Sequence, residues 1–233
     1  MTRSRKILLI VPALILAYLA IVALWAWSSF DAALASAPVP QSAPLSERQT
    51  AVLLRVEDPS FFEHHGLSIG SGQGLATISS AVARDVFLGT GQLDGVRGAL
   101  QSVYKKVFAC CKRIDLGRDM MALVLNARLS KPEQLARYTG NVYMGTHQGR
   151  QVRGLAQAAQ SYLGKPLDAA TEQEFVSLVA MIKAPNQFHP VRDPTALAER
   201  SRRIEALLSG TCKPGGWFDT AFDSCAASTK AAG

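Results

Sequence analysis

The stretch Val56-Glu57-Asp58-Pro59-Ser60-Phe61-Phe62-Glu63-His64-His65-Gly66 concentrates side chains able to do chemistry. An acidic pair is followed by two aromatic rings, two histidines and a glycine that permits a turn. A carboxylate set against apolar rings loses hydration, which raises its pKa and makes it a general base or acid. Glu57 is the candidate for that role. The same pattern also describes a solvated helix end with an aromatic staple, and periodicity alone favours that plainer reading. Glu57, His64 and His65 are metal-ligand types, but their spacing fits no helical two-histidine motif. No cofactor is expected, and a divalent metal is left open.

Such residues need a frame, and the flanking sequence supplies helices. Ser46 with Gln49 three positions later is a capping-box start. Ala51, Leu54 and Val56 follow, and Pro59 stops that helix near Glu57. Ile78, Val82 and Val86 repeat at helical spacing, as do apolar positions from Met121 to Leu129 and from Leu155 to Tyr162. Glu172 to Ile182 forms another helix ended by Pro185, and Pro194 to Leu208 a last, charged one. No run of alternating β-branched residues stands out, so the domain reads as all-α with one hairpin at most.

A chain of 233 residues holds one domain and an appendage. With 48% hydrophobic and 18% charged residues it can build a core. Lys and Arg number 25 against 18 Asp and Glu, a net charge of +7 that suits an anionic partner: nucleic acid, headgroups or a phosphorylated substrate. The common nucleotide loops GxGxxG and GxxxxGK[ST] are absent, and no CxxC pair marks a zinc ribbon. Residues 1–6 carry Arg3, Arg5 and Lys6, and residues 7–27 carry no charge. At about 1.5 Å per residue, this run spans a bilayer core of ~30 Å. Trp25 and Trp27 lie where an interfacial belt belongs, and the preceding basic cluster predicts a cytoplasmic N-terminus. The rival is a signal peptide cleaved at Ala33-Leu34-Ala35. Its apolar region is typically only about 7–15 residues, so an uncleaved anchor is favoured. Residues 28–44, rich in Ser, Ala and Pro, read as an extended linker, 45–208 as the folded domain and 209–233 as a C-terminal tail.

Glu57, Asp58, Phe61, His64 and Gly66 spell E-D-x-x-F-x-x-H-x-G. This resembles the first motif of the peptidoglycan glycosyltransferases, the lysozyme-like family 51 that polymerises lipid II. The resemblance continues in order. Gly74 to Ser80 is similar to G-G-S-T-I-T-Q-Q, and Arg128-Leu129-Ser130-Lys131 with Glu133 to R-x-S-K-x-E. Tyr138 with Val142 to Gly145 is similar to Y-L-N-x-V-Y-F-G. Ala158-Ala159 with Tyr162 to Lys165 is similar to A-A-x-x-Y-F-G-K. Glu174 and Ala184-Pro185 with Phe188-His189-Pro190 resemble the last motif. The resemblance implies a lysozyme-like helical domain with one N-terminal transmembrane helix, sited on the outer, periplasmic face of the bacterial inner membrane. It implies lipid II and lipid-linked glycan as substrates, other cell-wall synthesis proteins as partners and no nucleic acid. Glu57 takes the role of general base. Asp58, His64, Thr77, Arg84, Arg118 and Arg128 take substrate-binding roles.

The departures are specific. Ala76 stands for Ser, Ser80 and Ala81 for two Gln, and Arg84 for Lys, keeping a charge suited to phosphate. Gly140 stands for Asn. The third motif normally ends in Glu. Counting back from Ser130-Lys131 puts Arg118 there, with Asp119 adjacent and Asp115 one turn earlier, so Asp119 is the candidate second acid. A catalytically impaired relative that binds lipid II or scaffolds cell-wall synthesis is the alternative, and a lysozyme-like hydrolase a third. The chain between Leu88 and Asp119 is longer than the family pattern. There Leu100, Val103, Tyr104, Val107 and Phe108 share a helical stripe, with Lys105, Lys106, Lys112 and Arg113 around it. This reads either as a membrane-surface element or as a core-packed helix. Adjacent Cys110 and Cys111 do not suit a mutual bond. Cys212 and Cys225 flank a turn signal at Lys213 to Gly216. In an oxidising compartment they would close a loop; otherwise they are two thiols in a loosely packed tail.

Overall fold

Two capping boxes and several prolines fix where the main helices begin and end. The computed structural model describes residues 3–37, 43–70, 72–89, 91–108 and 115–226. Cys110, Cys111, Lys112, Arg113 and the linker prolines Pro38 and Pro40 lie outside them. In order, the helices are α1 Arg3–Ser36, α2 Glu47–Glu57, α3 Ile78–Leu88, α4 Gly95–Phe108, α5 Leu116–Arg128 and α6 Lys131–Asn141. Then come strands β1 Tyr143–His147 and β2 Arg150–Arg153, α7 Leu155–Ala158 running into a π-turn over Ala159–Leu163, α8 Glu172–Ile182 and α9 Pro194–Leu208. Among the described residues the only sheet is this antiparallel hairpin. Its two-residue turn places Gln148 at φ 49° and Gly149 at φ 77°, both left-handed, which matches the twist of the strands.

The chain divides into two compact units. One comprises Met1–Pro38, His65–Leu67 and Ser79–Ser130. In it α1 packs along α5. Val22, Trp25, Ala26, Ser29, Phe30 and Ala33 recur every three or four positions, and all are buried. Trp25 and Phe30 meet Phe87 at ring-centroid distances of 5.7 and 6.3 Å. Ile10, Leu14, Leu16, Ile21 and Leu24 remain exposed, and Ile10–Ser36 is long and apolar enough to cross a membrane. The helix thus runs on through Ser36, where an extended linker from Ser28 is expected. Burial of Ser29, Phe30 and Ala33, together with the helix propensity of its alanines, keeps that stretch helical. At Gly66, φ is 113° and an added Cβ would lie 2.7 Å from the Ala122 carbonyl oxygen. Only glycine fits so close an approach.

In α4 the expected stripe splits. Tyr104 turns inward and its hydroxyl donates to Asp115, the N-cap of α5. Gln101, 1% exposed, accepts from the Leu93 N–H and donates to the carbonyls of Phe87 and Gly91, which fastens the helix. Val96, Leu100, Val103 and Val107 face solvent. Their spacing of four, three and four residues makes one apolar line along α4.

The second unit comprises Val39–His64, Ser68–Ile78 and Lys131–Gly233. Its centre is α8, whose Phe175, Val176, Leu178, Val179, Ala180 and Met181 are all buried. Around it pack Val52, Leu53 and Val56 of α2 and Leu197, Ile204 and Leu207 of α9. Glu174 closes the Thr171 capping box and also accepts from Lys165 at 2.8 Å. Lys165, and then the backbone and hydroxyl of Thr171, hold its carboxyl down at about 2. Residues 209–226 are folded rather than a loose tail: Cys212 and Cys225 are bonded. Inside that loop Asp219 accepts from the N–H groups of Gly215 and Asp223 and from the Ser224 hydroxyl.

Candidate active site

Pro59 cannot continue α2, so the helix ends at Glu57, which is half-buried in the second unit. The Tyr138 hydroxyl on α6 donates to Glu57 Oε2 at 3.0 Å. The other carboxylate oxygen receives no hydrogen bond from the described residues. Burial pushes the Glu57 carboxyl above the usual carboxylate range, and the Asp58 charge pushes the same way. The Tyr138 hydrogen bond and the charges of Arg200 and Lys183 pull it back in part. A helix C-terminus also disfavours an anion. The result is a carboxylate of enhanced basicity.

Arg200 is only 2% exposed. It donates to the carbonyls of Ala180 at 2.9 Å and Thr220 at 3.3 Å, with its guanidinium over the rings of Phe188 and Phe222. Lys183, just past α8, donates to the Thr220 hydroxyl at 2.5 Å. Burial lowers the Lys183 pKa, Arg200 lowers it further, and Glu57 opposes both.

Asp58 is fully buried. It accepts from His64 Nε2 at 3.0 Å, Gln73 Nε2 at 3.1 Å and the Ile78 N–H at 2.9 Å. Asp58 and His64 are expected to touch substrate, yet their polar atoms are engaged with one another and with the 70–78 loop. Thr77 is buried as well. Lys131 lies 4.5 Å above the Phe61 ring. Burial lowers its pKa while the nearby Asp58 charge raises it.

Glu57, Asp58, His64 and Thr77 therefore belong to the second unit, and Arg84, Arg118, Asp119 and Arg128 to the first. Arg84 is exposed. Arg118 Nη2 donates to its neighbour Asp119 at 2.8 Å. Arg128 donates to Asp31 at 3.0 Å and stacks over Trp27 and Phe30, which ties α5 to α1. A cation suits the last turn of a helix, and a guanidinium is drawn to carboxylates and aromatic faces. His65 belongs to the first unit and His64 to the second, and among the described residues no cluster of three His, Cys, Asp or Glu side chains could hold a metal.

The motifs miss Lys183 and Arg200 as site residues, and Tyr138 enters only as part of a pattern. For Arg200 a signal exists: Leu197, Arg200, Ile204 and Leu207 share one helix face, so the arginine sits on an apolar stripe. For Lys183 no local signal distinguishes it from a surface lysine.

The transglycosylase family model matches residues 30–208. The chain is 30% identical over 159 residues to penicillin-binding protein 1B of Escherichia coli (strain K12), covering 67% of this chain and 18% of that protein. It is 28% identical over 159 residues to penicillin-binding protein 1F of Bacillus subtilis (strain 168), covering 67% and 21%. Against penicillin-binding protein 1A of Haemophilus influenzae it is 28% identical over 181 residues, covering 72% and 18%. The chain belongs to the transglycosylase family, the family 51 glycosyltransferases that its motifs resemble. It spans about a fifth of the length of these relatives.

Proposed function

We propose that this protein is a peptidoglycan glycosyltransferase that polymerises lipid II, with Glu57 as general base. The observation that carries this reading is the desolvated Glu57 carboxylate, one oxygen held by Tyr138 and the other open. Glu57 takes the proton of the acceptor sugar hydroxyl as that oxygen bonds to the anomeric carbon of the lipid-linked donor. The bond from that carbon to the lipid pyrophosphate breaks, and the pyrophosphate leaves with the electron pair. Cationic side chains offset the charge that develops. Arg84 is the candidate for this role on its fork geometry. Asp58 and His64 act by fixing the loop beside Glu57. Asp119 is the candidate second acid on its sequence position alone.

The helix α1 anchors the chain with the N-terminus in the cytoplasm and the folded part in the periplasm. The apolar line of α4, with Lys105 and Lys106 beside it, lies on the headgroup layer. The second reading, an impaired relative that binds lipid II, draws on Arg118 at the third-motif Glu position and its pairing with Asp119.

The deciding experiment is polymerisation by the full chain in vesicles containing lipid II. Polymer is expected, and Glu57→Gln should slow it about 10²–10⁴-fold, the usual worth of a general base. A wild type that binds lipid II without making polymer establishes the second reading. A Glu57→Gln variant with wild-type rate removes the base assignment.

A further inference from the structure

The C-terminal segment 209–226 lies beyond the family match, which ends at 208, and it reaches the surroundings of Glu57 by two routes. The first runs through one residue. Thr220 accepts from Lys183 with its hydroxyl, at 2.5 Å, and from Arg200 with its carbonyl, at 3.3 Å. These are the two cations whose charge acts on Glu57. Phe222 of the same segment covers the Arg200 guanidinium at 5.4 Å. The second route runs through the 70–74 loop. The Gly72 N–H donates to the Gly216 carbonyl and the Gly74 N–H to the Trp217 carbonyl, both at 2.9 Å. Gly72 sits so close that an added Cβ would meet Pro214 at 2.7 Å and Phe222 at 2.8 Å. Between those glycines, Gln73 holds Asp58, the neighbour of Glu57. The segment itself is closed by Cys212–Cys225.

We infer that Thr220 is a positioning residue for Glu57, and that the disulfide-closed segment around it is a brace holding Lys183 and Arg200 at the base. The inference rests on the reading of Glu57 as that base. The charged and titratable groups acting on Glu57 are Tyr138 from α6, Lys183 after α8, Arg200 from α9 and Asp58 from its own loop. Arg200 keeps a second anchor at the Ala180 carbonyl. Lys183 has a long flexible stem, so its hold on Thr220 decides how near its charge stays. Released, the ammonium swings toward water and Glu57 loses part of its compensation. The carboxyl then protonates at higher pH, and the acid limb of the rate profile moves up.

The test compares wild type, Thr220→Val, Thr220→Ser, Lys183→Met and the double variant Cys212→Ser/Cys225→Ser. Two measurements are made on the full chain in micelles: a carbon-13 NMR titration of the Glu57 carboxyl, and lipid II polymerisation against pH. Thr220→Val, Lys183→Met and the double variant should raise the Glu57 titration midpoint. On the acid limb they should lose roughly three- to tenfold in rate and keep the plateau, since a tenfold change is one pKa unit. Thr220→Ser keeps the hydroxyl and should behave as wild type. An unmoved Glu57 midpoint in Thr220→Val, or in Lys183→Met, overturns the brace, whatever the rates. If Thr220→Val does not fold, the midpoint of the Cys212→Ser/Cys225→Ser variant decides. Failure of the catalytic reading is a different result: Glu57→Gln then polymerises normally, while the NMR midpoints still report on the brace.

Discussion

The two units of this chain treat charge in opposite ways. In the unit holding Glu57, charged groups are taken inside: Asp58 is fully buried, Arg200 nearly so, and the Glu57 carboxyl is raised by burial. In the unit holding Asp119, they stay nearer the surface or tie α5 to α1. Arg118 pairs with Asp119, Arg128 with Asp31, and α4 shows water an apolar line rather than a charged one. Position on the helix adds to the contrast. Glu57 is the last residue of α2, where the helix dipole opposes an anion, and Asp119 is in the first turn of α5, where it favours one. A base must hold its negative charge poorly satisfied. By that measure the unit holding Glu57 fits proton transfer, and the unit holding Asp119 fits seating the protein at a membrane.

The sharpest way to break this contrast is to remove each carboxylate charge while keeping its shape. Glu57→Gln should cost about 10²–10⁴-fold in polymerisation. Asp119→Asn should cost roughly tenfold or less, because Asp119 is paired with Arg118 and is not the base. Equal losses from the two would end the distinction. The wild-type rate also has a pH signature. As a general base Glu57 would have to be ionised, and burial holds its pKa above the ordinary glutamate value of 4.5, so activity should fall as pH drops through a midpoint above that value. An acid limb centred at or below it would contradict a buried base.

Much of the frame is legible in the sequence, for local reasons. Ser46 and Thr171 begin helices with capping boxes, and Pro59 and Pro185 stop the chain from continuing. The candidacy of Glu57 comes from the motif it opens; its contact with Tyr138, 81 positions away, does not. What stays hidden depends on distant partners. The Arg128 contact to Asp31 spans 97 positions, and Thr220 meets Lys183 across 37. The extension of α1 is hidden too: Ser and Ala between residues 28 and 36 resemble linker until Phe30 is seen packed on Phe87. Gly74 of the second motif has a partner that no local pattern announces, since its N–H bonds to Trp217 in the segment beyond the family match.

A smaller effect tests the membrane half of the contrast. Val103 is 56% exposed in the middle of the apolar line on α4, so Val103→Asp should leave folding intact. A charge there opposes burial among headgroups and acyl chains. Polymerisation in vesicles should fall roughly three- to tenfold, while the rate in detergent, where no bilayer plane exists, should stay near wild type. Equal rates in both settings would show that α4 does not lie on the membrane.

The smallest effect concerns Asp115, the other acid near the third motif. Its carboxylate accepts from the Arg118 N–H at 2.9 Å and from the Tyr104 hydroxyl, so it caps α5 and fastens α4 at once. Asn offers the same carbonyl oxygen in the same place and ranks with Asp as an N-cap. Asp115→Asn should therefore shift stability by only about 0.5 kcal/mol or less and leave polymerisation within about twofold of wild type. Asp115→Ala removes the oxygen that accepts both. It takes one partner from the buried Tyr104 hydroxyl and leaves α5 uncapped, and should cost about 1–2 kcal/mol in chemical unfolding. Both variants separate architecture from proton transfer. If Asp115→Asn slowed polymerisation as much as Glu57→Gln, the carboxylate charge itself would be needed there, and the second acid of the reaction would be Asp115 rather than Asp119.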